Sequence, residues 1–415
     1  MGFGQGLSGL NAASQNLDVI GNNIANSGTV GFKSSTASFA DVYASSRVGL
    51  GVKVAAISQR FTVGTVQGGG GEYDIAIDGA KGMFRVTDQS GAVMYTRNGE
   101  FLVDKNNFIV NAQGYRMTGY PAGAIGANPT ELQLPTANVA PQATSTGTTV
   151  ANLNANAKVV DPVTTPFDPT LSNSFTNASP MTVFDSLGNS HQVMQYFVKR
   201  EADPANGESV YDVYYTLDGS PMDPTSVDPV SGDWSTTAQF TFNKAGALTS
   251  APIVTLSFAN PGGIAAPADD LTIAMNYTGT TQYGSDYKLI AKPNGYTSGE
   301  FSGINIGGDG SLVASYTNGE TQIVGTIVLA DFSNLQGLQP VGNNAWTETA
   351  ASGQPILGQP GTNGLSKVVG QATEASNVDM SKELVNMIIA QRTYQANSQT
   401  IKTQDEIMQV LMNLK

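Results

Sequence analysis

Two apolar stripes at helical spacing sit at opposite ends of this 415-residue chain, and they constrain its architecture more than anything between them. From Met1 to Ile24, large apolar residues fall at Phe3, Leu7, Leu10, Leu17, Ile20 and Ile24. The gaps of three and four, with Ala13 filling the long one, trace one face of a helix. The other face is Gln, Ser and Asn, with Asp18 its only charge. Gly2, Gly4, Gly6, Gly9 and Gly21 lower helix propensity, so this helix is poor in isolation. At the other end, "DMSKELVNMIIAQRTYQANSQTIKTQDEIMQVLMNLK" contains neither Pro nor Gly. Leu384, Met387, Tyr394, Ile401, Met408 and Met412 follow a three-four repeat, interrupted at Gln391, Ser398 and Asp405. Asp379 is a suitable N-cap, and Glu383 suits the first turn. A helix of about 35 residues is about 50 Å long at ~1.5 Å per residue, too long to lie across a compact domain of ordinary size.

Both stripes are narrow, like a coiled-coil seam, and both helices have polar, nearly neutral backs. Such a back makes a poor solvated face and a good surface for packing against copies of itself. One seam against one partner barely offsets the entropy of ordering the chain, whereas a helix packed on several neighbours gains more. The ends are therefore expected to be loose in the monomer and to order on assembly. The expected subunit interface comprises Leu7, Leu10, Leu17, Ile20, Asn22, Asn23, Ile24, Asn26 and Phe32 near the N-terminus. At the other end it comprises Leu384, Met387, Tyr394, Ile401, Met408 and Leu411. The plainer alternative, two core helices of a globular domain, fits the narrow stripes less well.

Between the helices the period changes to two. "EYDIAIDG" sets Tyr73, Ile75 and Ile77 against Asp74, Ala76 and Asp78. "VMYTRNGEFLV" places Asn98-Gly99 between two strand-like runs, which predicts a two-residue hairpin with Arg97 facing Glu100. Further Asn-Gly pairs start at Asn206, Asn294, Asn318 and Asn363, and Asp-Gly pairs at Asp78, Asp218 and Asp309. So many hairpin signals indicate antiparallel β-domains. "GTVQGGGGE", from Gly64 to Glu72, reads as a hinge, and "VAPQATSTGTTV" begins a change of character at Val139. "DPVTTPFDPT" and "SPMDPTSVDP" read as loops.

The fold class is thus mainly β with α-helical termini. Two antiparallel β-domains are expected, one inserted in the other, plus paired coiled-coil-like helices. The boundaries are an N-terminal helix at 1–26, a connector at 27–71, a host β-domain from 72–145 and 291–365, an insert at 146–290, and a C-terminal connector and helix at 366–415.

Catalytic and ligand-binding constellations are missing from this pattern. The chain has no Cys, which removes disulfides and thiolate metal sites. The single His, His191 in "VFDSLGNSHQV", reads as a surface strand residue. The run Gly68 to Gly71 lacks the Lys-Ser/Thr of a phosphate loop and precedes a strand. "DKNN" at Asp104 lacks the Gly and the terminal Glu of a calcium loop and reads as a hairpin turn. No enzymatic activity, metal or cofactor is expected. With 33 Asp plus Glu against 20 Lys plus Arg, neither nucleic acid nor an anionic membrane is the expected partner. No apolar run has transmembrane length, and the N-terminus does not have the pattern of a cleaved secretory signal.

"NLDVIGNNIANSGTVGFKSSTASFADVY" resembles the N-terminal signature of bacterial flagellar axial proteins, the rod and hook subunits. The match lies in Asn22, Asn23, Ile24, Ala25, Asn26, Thr29, Gly31, Phe32 and Lys33. "EASNVDMSKELVNMIIAQRTYQANSQTIKTQDEIMQVLMNLK" resembles the C-terminal signature through Ser376, Asn377, Val378, Asp379, Glu383, Gln391, Arg392, Tyr394, Asn397 and Asp405. "YTRNGEF" and "YTNGETQIVGTIVLADFSN" also resemble this family, and "VFDSLGNSH" with its large insert is most like the hook subunits.

The resemblance implies a subunit of a short curved tube, a universal joint that passes motor torque to the filament. Terminal helices would form the inner tube and β-domains the outer layers. The implied partners are further copies in an open helical polymer, the rod at the proximal end, the hook cap and hook–filament junction proteins at the distal end, and the flagellar export apparatus. The implied location is the extracellular hook, reached by type III export without signal cleavage. Asn22 to Lys33 would then be the exit from the inner helix into a connector, with Gly28 and Gly31 allowing a sharp turn. The alternatives are a distal rod subunit, or a phage-tail or adhesin-type fibre protein that forms closed trimers.

Overall fold

The computed structural model describes residues 3–42, 49–135, 137–202, 207–222 and 234–413. Asn206 and residues 223–229, which the hairpin and loop expectations included, lie outside the described residues, as does the side chain of Leu411. The chain divides into two compact units: Met1–Thr136 with Ser302–Ser315 and Thr321–Lys415, and Ala137–Phe301 with Tyr316–Glu320.

In the first unit the terminal helices pair with each other. Helix α1 spans Phe3–Ala25 and α2 spans Met380–Asn413. Asp379 Oδ1 accepts the Lys382 N–H at 3.1 Å, capping α2 as its sequence suggests. The helices run antiparallel, since Gly6 meets Ile401 and Gly9 meets Asn397. A Cβ on Gly6 would stand 3.1 Å from Ile401 Cγ1, and one on Gly9 2.8 Å from Asn397 Oδ1. The absent side chains are what let the two backbones approach. Accordingly α1 buries Gly6, Ala12, Ala13, Val19, Ile20 and Asn23. Of the expected apolar stripe, Phe3 and Leu7 are exposed, while Leu10, Leu17 and Ile24 are half-buried. On α2, Ala390 is buried and Met387 and Ile401 are half-buried, but Leu384, Tyr394, Met408 and Met412 are exposed. The intramolecular contact is therefore displaced from the sequence stripe onto small residues.

The N-terminal connector forms a two-stranded antiparallel hairpin, β1 (Ser35–Val42) and β2 (Gly51–Gln59). It packs on α1, with Ser8 Oγ accepting the Val52 N–H at 3.3 Å. The main sheet of this unit places strands Thr321–Ile327, Arg116–Pro121, Met83–Thr87, Val93–Thr96 and Ala345–Thr347 side by side, all antiparallel. Met83, Tyr95, Ala330, Phe332, Leu338 and Trp346 form a core against it, Tyr95 and Phe332 meeting edge to face at 4.8 Å. "DKNN" is the hairpin turn expected: Asp104 Oδ1 accepts the N–H groups of Asn106 and Phe108 between paired strands Phe101–Val103 and Ile109–Asn111.

Three local expectations fail. Asn98-Gly99 is not a two-residue hairpin turn, because Val93–Thr96 pairs with Met83–Thr87 and Ala345–Thr347, while Phe101–Val103 pairs with Ile109–Asn111. Gly99 instead lies against strand β4 (Ile75–Asp78), its carbonyl accepting the Ile75 N–H, where any Cβ would strike the Ile75 carbonyl. Alternation in "DIAID" is lost, since Ile75, Ala76 and Ile77 are all buried. The glycine-rich hinge is tied down: strand β3 (Val66–Gly68) pairs with Ala372–Glu374, and the Gly69 and Gly70 N–H groups donate to Gln371 O.

The second unit packs two sheets on one core. Strands Ile253–Phe258, Leu271–Asn276, Thr146–Asn152 and Lys288–Pro293 form one. Asn177–Phe184, Ser190–Lys199, Ser209–Leu217 and Ala238–Phe242 supply most of the other. Phe197, Tyr211, Phe240, Leu256, Ile273 and Tyr277 are buried between them. The incoming strand Thr146–Asn152 pairs antiparallel with the outgoing strand Lys288–Pro293, so the chain leaves beside where it arrives. It pairs in parallel with Leu271–Asn276, a departure from the all-antiparallel expectation. Asp218-Gly219 does form a tight hairpin turn, with φ of 49° and 83° between paired Leu217 and Ser220. His191 is not a surface residue. It is 8% exposed, with Nδ1 2.7 Å from Asp218 Oδ2 and Nε2 3.3 Å from Asp185 Oδ2. Two carboxylates hold the ring inward.

Candidate functional site

The functional features concentrate where both terminal helices join the first unit. Glu374, six residues before α2, is fully buried and gathers three chain segments. Its Oε1 accepts the Lys33 ammonium at 2.6 Å and the Gly64 N–H at 2.8 Å, and its Oε2 accepts Arg97 Nη1 at 3.0 Å. Lys33 also donates to Thr62 O at 2.8 Å, and Arg97 to Gly79 O and Ala80 O at 3.0 and 2.9 Å. Burial lowers the pKa of both cations, and the opposing pull of Glu374 offsets this only in part. Ionic and hydrogen-bonded partners on both cations offset the cost of burying them.

A second tie lies three residues on. Asn377 Oδ1 accepts the Ser34 N–H at 2.7 Å, and its Nδ2 donates to Arg60 O at 2.7 Å. The Gly31 N–H donates to Glu374 O at 2.8 Å, with φ of +71°. Asn23 grips the connector at two points, its amide exchanging hydrogen bonds with Ser35 O and N at 2.8 Å each. Asn26 donates to Asn22 O at 2.9 Å and accepts from Thr29 Oγ1 at 3.2 Å. The stretch from Asn22 to Lys33 is thus the joint between α1 and the β-structure. Gly28 has ordinary φ and open space about it, so only Gly31 needs to be glycine.

This sorts the expected interface residues. Ile20, Asn23 and Phe32 are buried within this chain and serve its own packing. Asn22 is exposed and Asn26 half-buried, both bonded locally. Leu7, Leu384, Tyr394 and Met408 face outward, and Leu10, Leu17, Ile24, Met387 and Ile401 lie at the edge of the helix pair. Glu374 and Arg97 were missed as site residues. Both lie inside stretches that carry the family resemblance, Arg97 in "YTRNGEF" and Glu374 at the start of "EASNVD", but neither stretch reveals that the two charges meet.

Known proteins place this arrangement. Four family models match in chain order: "Flagella basal body rod protein" at residues 5–33, "Flagellar hook protein FlgE/F/G D1 domain" at 76–152, "Flagellar basal body protein FlaE D2 domain" at 152–296, and "Flagellar basal body rod FlgEFG protein C-terminal" at 369–414. The flagellar hook protein FlgE of Escherichia coli K12 is 44% identical over 423 residues, covering 100% of both chains. The chain belongs to the flagellar hook protein family. The Salmonella typhimurium hook protein is likewise 44% identical over 421 residues and all of both chains, and that of Brucella suis is 30% identical over 99% of this chain and 98% of its own. The crystal structure of Helicobacter pylori flagellar hook protein FlgE2 shares the fold, with a TM-score of 0.53 at 16% identity over 73% of this chain and 98% of that one. The N- and C-terminal matches take in nearly all of both helices together with Lys33, Glu374 and Asn377. No helix among the described residues is long and apolar enough to cross a membrane, and no metal-ligating cluster gathers among them.

Proposed function

We propose that this hook-family chain polymerises head to tail into a flexible curved tube, with α1 and α2 as the inner layer. The observation that carries this reading is the outward placement of large apolar side chains on a helix pair closed by glycine and alanine. Phe3, Leu7, Leu384, Ile388 and Met408 are 44–58% exposed. Such surfaces are unfavourable in water and are covered by neighbouring copies in an open, heterologous polymer. The proposed interface keeps Leu7, Leu384, Met387, Tyr394, Ile401 and Met408 from the sequence stripe. The role is structural, without catalysis, and the proposed location is the extracellular hook, reached by export without cleavage of a leader. Rod subunits, cap and junction proteins are the proposed neighbours at the two ends.

Negative-stain micrographs of purified protein at high concentration test it. Curved tubules are the expected result, and loss of tubules when α2 is deleted is the expected control. Discrete trimers from the intact chain would instead support the fibre-adhesin alternative.

A further inference from the structure

Five Asn-Gly pairs punctuate the chain, and four of them have a described asparagine. This dipeptide carries a chemical liability besides its turn preference. With no side chain on the second residue, the glycine amide nitrogen can swing toward the asparagine Cγ and displace ammonia. Along the sequence the four pairs look alike. The fold separates them.

Three of the asparagines are held. Asn98 Oδ1 accepts the Glu100 N–H at 2.9 Å, its Nδ2 donates to Glu100 Oε2 at 3.3 Å, and Gly99 beside it is buried. Asn294 Oδ1 accepts the N–H groups of Ser145 and Thr146 at 3.0 Å each, and its Nδ2 donates to Ser145 Oγ at 3.0 Å. Asn318 Nδ2 donates to Thr297 O at 2.7 Å, and its Oδ1 accepts the Glu320 N–H at 3.0 Å. In that pair the attacking nitrogen is engaged as well, since the Gly319 N–H donates to Tyr316 O at 3.0 Å.

Asn363-Gly364 differs on each point. Both residues are exposed. Among the described residues, neither the Asn363 side chain nor the Gly364 N–H has a hydrogen-bond partner. Their φ values of 50° and 79°, with the Leu365 N–H donating to Thr362 O at 2.8 Å, make a tight turn of type I′. That backbone bond closes the turn, and neither residue belongs to a strand, so the turn can open without unpairing a sheet.

We infer that Asn363 is a modification site of the folded protein, converting spontaneously to aspartate and isoaspartate. The Gly364 nitrogen gives up its proton and bonds to Asn363 Cγ, the Cγ–Nδ2 bond breaks, and ammonia leaves. Water then opens the cyclic imide. Opening at Cγ gives aspartate, and opening at the main-chain carbonyl carbon routes the backbone through the side chain as isoaspartate. Only water is consumed. Each conversion sets a new carboxylate on an exposed turn, and the product accumulates with the age of the molecule. The chemistry is independent of the polymer reading and goes beyond it.

Peptide mass spectrometry of the full-length chain, kept folded at mildly alkaline pH and sampled over weeks, tests this. Exchange of NH2 for OH is expected at Asn363 about tenfold faster than at Asn98, Asn294 or Asn318, whose hydrogen bonds must break before the attack. Isoaspartyl methyltransferase is expected to label the peptide that carries residue 363. In concentrated urea the four rates should converge, which assigns the difference to the fold. N363Q should remove the fast site and leave thermal unfolding unchanged, because the longer side chain closes a larger ring far more slowly. No conversion at Asn363, an equal or faster rate at any held asparagine of the folded chain, or a lead for Asn363 that persists in urea overturns the inference. None of these outcomes bears on whether the chain forms tubules.

Discussion

Glu374 Oε1 and Lys33 Nζ stand 2.6 Å apart across 341 positions of sequence, both buried, and Arg97 approaches the same carboxylate from the main sheet at 3.0 Å. One side chain thereby joins the chain leaving α1, the chain approaching α2 and the β-structure. In a torque-bearing tube, load on the helices would reach the β-structure through this joint.

Removing the shared partner should therefore be severe. E374Q leaves two buried cations facing a neutral amide, and a loss of about 3–5 kcal/mol is expected in chemical denaturation of the full chain. K33M should cost less, since Glu374 keeps Arg97. Equal losses from the two variants would contradict the shared-carboxylate geometry.

The two glycines between Asn22 and Lys33 should part company. Gly31→Ala forces a Cβ to 2.5 Å from the Asn98 N at φ +71°, so a destabilisation of about 1–3 kcal/mol is expected. Gly28→Ala meets nothing within 4 Å and should stay within about 0.5 kcal/mol of the parent. Thermal unfolding of the two single variants measures the difference.

His191 should make the second unit's stability depend on pH. Burial alone would lower its proton affinity, but hydrogen bonds to Asp218 and Asp185 outweigh that and raise its pKa above 6.5. The folded state then binds the proton more tightly than the unfolded state. The contribution is complete below pH 6.5 and disappears as pH rises through the elevated folded value. H191N removes the titrating ring and should flatten the fall in unfolding free energy that sets in above pH 6.5. An unchanged slope in that variant would assign the pH dependence to other groups.

Limited trypsin digestion of the monomer should separate the helices from their anchored connectors. Lys382, Arg392 and Lys402 are exposed on α2, whereas Lys33 and Arg97 are buried. Mass spectrometry is expected to find early cuts within α2 and a persistent fragment that still contains Lys33, Arg97 and Glu374. Early cleavage after Lys33 would mean that the buried contacts do not hold the connectors in solution.

Much of the architecture was legible in the residues. Both helices, the Asp379 cap, the β-rich middle and the "DKNN" hairpin follow from local rules, because helix periodicity, capping and turn chemistry involve neighbours only a few positions apart. The flagellar signatures at the two ends were legible for the same reason, as contiguous motifs. What the chain order could not reveal is partner choice at long range. Arg97 was assigned to Glu100, three positions away, yet its carboxylate comes from Glu374. His191 looked like a surface residue until the Asp218 turn folded over it. The stripe on α1 pointed to Leu7 as a contact, but Gly6, which carries no side chain at all, lets α2 come closest. Periodicity determines which residues share a face. Only the tertiary structure decides which face is covered, because close approach depends on the shape of both surfaces and on where the rest of the chain carries the partner.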